Sequence, residues 1–188
     1  MLANAYDSGF STCWPEGSRK LLSLLKASID SSSPSDAPGQ WLDQCLETSV
    51  QNFLSWSNAE QAGPLEDSAA TMTVVLKRPD SLIIRWCGAE RLQLGRSGES
   101  IEDLTPHSIA EEFRRHGHPV NDPQLEQCVT KSINSEAHSF EATTWDWTPG
   151  DKLMFYHPKA AGRGTPPSPS ELKELQLPFW LRVTTQIS

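Results

Sequence analysis

The spacing of apolar positions divides the chain into a helical front part and a strand-rich remainder. Over residues 17–30 (GSRKLLSLLKASID), Leu21, Leu22, Leu24, Leu25 and Ile29 recur at helical spacing and share one face. Ser18 is the expected N-cap. The stretch SSSPSDAPG breaks the pattern with Ser, Pro and Gly, and it reads as a loop. A second helix is expected from Trp41 to Trp56, because Leu42, Cys45, Leu46, Val50, Phe53 and Leu54 keep the three-to-four spacing. The texture changes at Ala69. TMTVVLKR is short and β-branched, and SLIIRWCG and ERLQLGR follow as two further strand candidates separated by turn residues, which predicts an antiparallel meander; RSGES reads as a turn. Thr105-Pro106 is the expected start of a third helix that stops at Gly117, and DPQLEQCVTKSI suits a short helix. HSFEATTWDW, KLMFYH and FWLRVTTQI are the remaining strand candidates, with KAAGRGTPPSPS as a loop and SELKEL as a turn or two of helix. Helices grouped before strands predict an α+β fold with helices packed on antiparallel sheet.

Length adds one constraint. The chain has 188 residues, enough for one ordinary domain. We divide it into a helical part (1–68), a core of meander, helix and strands (69–157), a loop (158–176) and a closing strand (177–188). Hydrophobic residues make up only 37%, but seven Trp and six Phe supply large apolar areas to a core. A net charge of -8 argues against broad nucleic-acid binding, which needs phosphate-neutralising cations. Cys13, Cys45, Cys87 and Cys128 form no CxxC pair, so they read as small core residues. No secretory signal is apparent at the start of the sequence, and no apolar run reaches the ~20 residues of a membrane span. A soluble, cytoplasmic protein is the expectation.

Four segments, in order, resemble the type 2C (PPM-type) Ser/Thr protein phosphatases. TMTVVLKRPDSLIIRWCGAERLQLGRSG looks like that family's central meander, in which a strand ends in Gly-Asp-Ser-Arg. LTPHSIAEEFRRHG is similar to its Leu-Thr-x-Asp-His-Ser segment and the Glu/Arg helix after it. WTPGDKLMFYH resembles its Pro-Gly-Asp turn and a strand that normally ends in Ser-Asp-Gly, and FWLRVTTQI resembles a last strand that follows Asp-Asn. NAYDSGF looks like the strand carrying Asp-Gly-x-Gly-Gly, which would put Asp7 at the metal-binding turn. The resemblance implies an abbreviated β-sandwich of antiparallel sheets flanked by helices, lacking the family's first strands.

The same resemblance implies a lost activity. The family holds two divalent metals with carboxylates converging from several strands, and they activate a water for attack on phosphorus. Here Gly-Asp becomes Gly88-Ala89, Ser-Asp-Gly becomes His157-Pro158-Lys159, and Asp-Asn becomes Pro178-Phe179. Only Asp7 remains as a metal-ligand candidate. The expectation is therefore a pseudophosphatase, with no catalytic residues and no metal, acting as a protein-interaction or regulatory subunit. Asp7, Glu90, Arg91, His157 and Lys159, at the former active-site end, are its candidate ligand or partner contacts. A protein partner or a homodimer is expected, because the missing strands leave a sheet edge open; nucleic acid and membrane are not expected as partners. One alternative is a divergent phosphatase acting on phosphoserine or phosphothreonine with Mn or Mg. Another is a binder of phosphate ligands or phosphopeptides, in which Lys159, His157 or Arg91 replaces the metal charge. A metal site from His107, His116 and His118 is disfavoured, because His116 and His118 flank a helix-ending Gly and His107 matches a structural position.

Overall fold

A computed structural model describes residues 1–7, 16–60, 70–96, 99–126, 128–133, 138–156 and 180–182. In chain order these form β1 (Leu2–Asp7), α1 (Glu16–Asp30), α2 (Pro38–Glu60), β2 (Ala70–Lys77), β3 (Ser81–Cys87), β4 (Arg91–Arg96), β5 (Glu99–Asp103), α3 (Ile109–Arg115), a 3-10 turn (Pro123–Glu126), β6 (Glu141–Asp146), β7 (Lys152–Tyr156) and β8 (Trp180–Arg182). All described strand pairs are antiparallel. One sheet has the order β6-β3-β2-β1-β8 and the other β5-β4-β7. The α+β sandwich expected from the sequence is the observed architecture.

Strand periodicity builds two cores. Side chains alternate across a strand, so β2 sends Met72, Val74 and Leu76 to one face and Thr71, Thr73 and Val75 to the other. The first set joins Leu21, Leu25 and Ile29 of α1 and Leu42, Leu46, Val50 and Phe53 of α2. Val75 joins Leu82, Ile84, Trp86 and Trp145 of its own sheet and Leu92, Leu94 and Phe155 of the facing sheet. β2 is thus covered on both sides, and its residues Ala70–Leu76 are all buried. Trp147 packs against the second core beside Trp145, as their spacing of two predicts. No helix of the described residues is long and apolar enough to cross a membrane.

Several boundaries differ from the sequence reading. Ser18 is not a cap: α1 begins at Glu16, and Ser18 is fully buried inside it. α2 runs from Pro38 to Glu60, longer at both ends than expected, with Pro at its first position where the missing amide costs no bond. The second half of RSGES opens β5, because Glu99–Asp103 finds β4 as a partner. α3 starts at Ile109, not at Thr105-Pro106. Ser108 caps it by accepting the Glu111 amide at 3.2 Å, while Thr105 and His107 lie ahead of the helix and serve other contacts. Gly117 ends the turn after α3 with φ of +76°, as its position suggested. Cys45 and Cys87 are buried, whereas Cys128 is exposed and not a core residue. Cys13 and the long loop before β8 lie outside the described residues.

Candidate functional site

The turn between β3 and β4 is Gly88-Ala89-Glu90, and its shape depends on Gly88. The backbone there takes φ of +138°, which an L side chain resists. A Cβ at this position would sit 2.2 Å from the Thr71 Cβ and 2.6 Å from the Glu90 Oε2. Glycine therefore lets the turn close onto β2. His107 clamps the turn from outside: the Gly88 amide donates to His107 Nδ1 at 3.0 Å, and the His107 amide donates to the Gly88 carbonyl at 2.9 Å. Because Nδ1 accepts, the neutral ring carries its proton on Nε2. Burial pushes the imidazole down to about 4, with Lys131 adding to the effect, so it is neutral around pH 7. The ring stacks on Trp86 at 6.0 Å between centroids, and the indole N–H donates to the Thr105 carbonyl at 3.0 Å.

Ala89 is fully buried in this turn. Next to it, Glu90 is 1% exposed. Its Oε1 accepts from the Thr71 hydroxyl, and its Oε2 has no hydrogen-bond partner. Burial pushes the carboxyl up to about 7, against the weaker pull of the Thr71 hydrogen bond. The same burial, with the Glu90 charge second, pushes the neighbouring Cys87 thiol up to about 12. Glu90 is therefore an interior group and not a surface contact, because both β2 and Gly88 close over it. Asp7 ends β1 with its backbone opposite Ala70, one residue from Thr71. This brings the Asp7 backbone to the end of the sandwich where Glu90 sits. Its side chain lies outside the described residues, as do His157 and Lys159.

Arg91 is not a free cation at this end. Its guanidinium donates to Glu126 at 3.0 Å, Arg114 of α3 bonds the same carboxylate, and Asp103 lies 4.0 Å away. The network ties α3 and the 3-10 turn to β4. The two arginines hold Glu126 below the usual carboxylate range despite its burial.

Beside the Gly88 turn lies a groove of about 480 Å³, lined by Trp86, His107, Glu112, Arg115, Lys131 and Glu141 among others. Arg115 donates to Glu112 at 3.1 Å, and Lys131 donates to Glu141 at 2.8 Å. Each wall cation is thus already neutralised, and an incoming phosphate would have to displace a carboxylate. The sequence reading placed His107 as structural, and its contacts agree. It missed the groove, because Lys131 and Glu141 are brought to His107 only by the fold. His116 and His118 are exposed and do not converge with His107 on a common centre.

The donor set can be tested against the two divalent cations that the resemblance implies. Ala89 offers no oxygen donor in its side chain. One oxygen of the Glu90 carboxyl is occupied by Thr71, and the other is buried without a hydrogen-bond partner. Among the described residues no three His, Cys, Asp or Glu side chains gather as a metal site would need. These residues do not fit a two-metal centre.

Sequence comparison finds no matching family model and no matching curated protein. Solved structures do match. The serine/threonine phosphatase PstP/Ppp of Mycobacterium tuberculosis is 17% identical with a TM-score of 0.68, over 94% of this chain and 74% of that one. Stp1 of Staphylococcus aureus is 15% identical with a TM-score of 0.65, over 77% and 59%. The PPM Ser-Thr phosphatase MsPP of Mycobacterium smegmatis is 18% identical with a TM-score of 0.62, over 86% and 74%. The chain has the PPM-type Ser/Thr phosphatase fold. It spans between 59% and 74% of these three structures. At such identities the likeness establishes the PPM-type fold alone, and activity has to be argued from the residues.

Proposed function

We propose that this PPM-type scaffold is a pseudophosphatase that works by binding another protein. The observation that carries the reading is Ala89, buried at the turn where the resembled motif has aspartate. Removing a carboxylate removes an oxygen ligand that a hard cation needs, and no described side chain replaces it. The Gly88 turn is nonetheless kept in place by Thr71, His107 and Trp86. A retained scaffold with an unsuitable donor set favours recognition over hydrolysis. The paired state of Arg91, Arg115 and Lys131 counts against a phosphopeptide binder at these positions.

The test has two parts. p-Nitrophenyl phosphate and a phosphothreonine peptide are offered with Mn or Mg, and turnover is followed with and without a chelator. The expected result is no metal-dependent turnover, together with a stoichiometric partner in affinity purification. Metal-dependent turnover abolished by chelator would overturn the reading.

A further inference from the structure

We propose that the groove beside the Gly88 turn is a binding site for a free α-amino acid with an uncharged side chain, held at its carboxylate by Lys131 and His107 and at its ammonium by Glu141. The inference is independent of the proposed function, since no side chain of the Gly88-Ala89-Glu90 turn takes part.

Backbone pairing brings these side chains together from distant parts of the chain. The Thr130 amide donates to the His107 carbonyl at 2.9 Å, which sets Lys131 beside that residue. The β3–β6 ladder sets Glu141 opposite Trp86, and the Trp86 ring stacks on His107. α3 starts two residues after His107 and adds Glu112 and Arg115. The resulting groove of about 480 Å³ falls within the size of small-molecule sites, roughly 300–1,000 Å³. The charges of Lys131, Glu141, Arg115 and Glu112 all act on the His107 imidazole, so they stand around one ring.

The groups left unused define the ligand. His107 Nδ1 accepts from the Gly88 amide, and the proton on Nε2 has no acceptor among the described residues. Lys131 donates one of its three N–H groups to Glu141 Oε1 at 2.8 Å, which leaves two N–H groups and Glu141 Oε2. The Lys131 side chain is 24% exposed, the most sheltered of the four charges. Arg115 and Glu112 form a second pair, so the walls carry no net charge. A lone anion would satisfy the donors and leave Glu141 unmatched, and a lone cation would do the reverse. A molecule with both signs on one carbon meets both needs without breaking the Lys131–Glu141 pair. Its carboxylate accepts from Lys131 Nζ and His107 Nε2–H, its ammonium donates to Glu141 Oε2, and the charges alternate. Hydrogen bonds between ionised groups are the stronger class. An uncharged side chain preserves the balance, and the Trp86–His107 stack offers an aromatic one a flat surface.

Calorimetry on the whole chain tests this with L-phenylalanine and two analogues that each lack one charge. The buffer is slightly acidic, to keep the amines protonated. L-Phenylalanine is expected to bind with a Kd of about 1 mM or tighter. N-Acetylphenylalanine lacks the ammonium and phenylalanine amide lacks the carboxylate; each is expected to bind about tenfold more weakly. The His107 Nε2–H resonance should shift with L-phenylalanine. Lys131→Met leaves Glu141 without its cation, so the preference is expected to reverse toward the amide. Glu141→Gln leaves Lys131 without its anion, so the preference is expected to reverse toward the N-acetyl compound. Thermal melting checks that each variant folds, and if one does not, the other decides. No binding of L-phenylalanine, equal or tighter binding of either analogue by the wild type, or an unchanged preference in a folded variant would overturn the proposal.

Discussion

Replacing Glu90 by Gln keeps the shape of the buried side chain and removes its proton equilibrium. Burial raises the folded-state value from the usual 4.5 to about 7, so the fold binds this proton more tightly than the unfolded chain does. The stability that Glu90 contributes is therefore fully present below 4.5 and is lost as pH rises to about 7. Beyond that the deficit stays constant. The gap corresponds to about 3 kcal/mol. His107 acts in the opposite sense over much of the same range. Its folded-state value falls from 6.5 to about 4, so its penalty appears as pH drops through that window. The wild-type profile should consequently be shallow between pH 4.5 and 6.5, with two opposed slopes hidden inside it. In Glu90→Gln only the His107 slope remains, and stability should rise with pH. Urea unfolding followed by Trp fluorescence, at a series of pH values from about 4.5 to about 8, gives the stability of each protein. The difference between variant and wild type should move by about 3 kcal/mol in favour of Gln across the series. An unpaired buried amide costs about 1–3 kcal/mol at every pH, so the slope is informative and the offset is not. A difference independent of pH would refute a neutral, buried Glu90.

Other perturbations read other parts of the structure. Gly88→Ala places a methyl against Thr71 at a positive φ, and thermal melting should show a loss of about 3 kcal/mol or more. Glu126→Ala removes the carboxylate shared by Arg91 and Arg114; a loss of about 1.5–3 kcal/mol in denaturant unfolding is expected, with α3 amides exchanging faster. Asp151 is held well below the usual 3.8, first by the Arg96 guanidinium that binds both its oxygens. Its stabilising effect is present above 3.8 and is lost as pH falls below it, so Asp151→Asn should flatten the acid limb of the stability profile.

How far the pattern of residues carried the reading varies by region. The helical face of α1 and most of α2 were legible, because Leu21, Leu25, Leu42, Leu46 and Phe53 repeat at a spacing that has one good solution, a buried stripe. β2, β3 and β4 were legible as short strand-like runs set between turn residues, β2 through its β-branched residues. β5 was not: ESIED is acidic and lacks a clear apolar face, and it becomes a strand only because β4 has a free edge for it. The start of α3 was misplaced because Thr105-Pro106 and Ser108 both look like helix starts. Trp86 takes the Thr105 carbonyl and Gly88 takes His107, which keeps that stretch out of the helix.

The candidate site divides along the same line. The order of segments, the glycine turn and the substitution at Ala89 are properties of the sequence by itself, since each is a matter of which residue stands where. The state of Glu90 is not. Its raised value depends on β2 and the Gly88 turn closing over it to exclude water, against the pull of the hydrogen bond from Thr71, nineteen residues away. Arg91 is likewise a surface cation by sequence and an engaged one by structure, because the 3-10 turn delivers Glu126 to it. Local spacing determines secondary structure and turn chemistry, whereas desolvation and charge pairing act between chain-distant groups, which only the tertiary fold brings together.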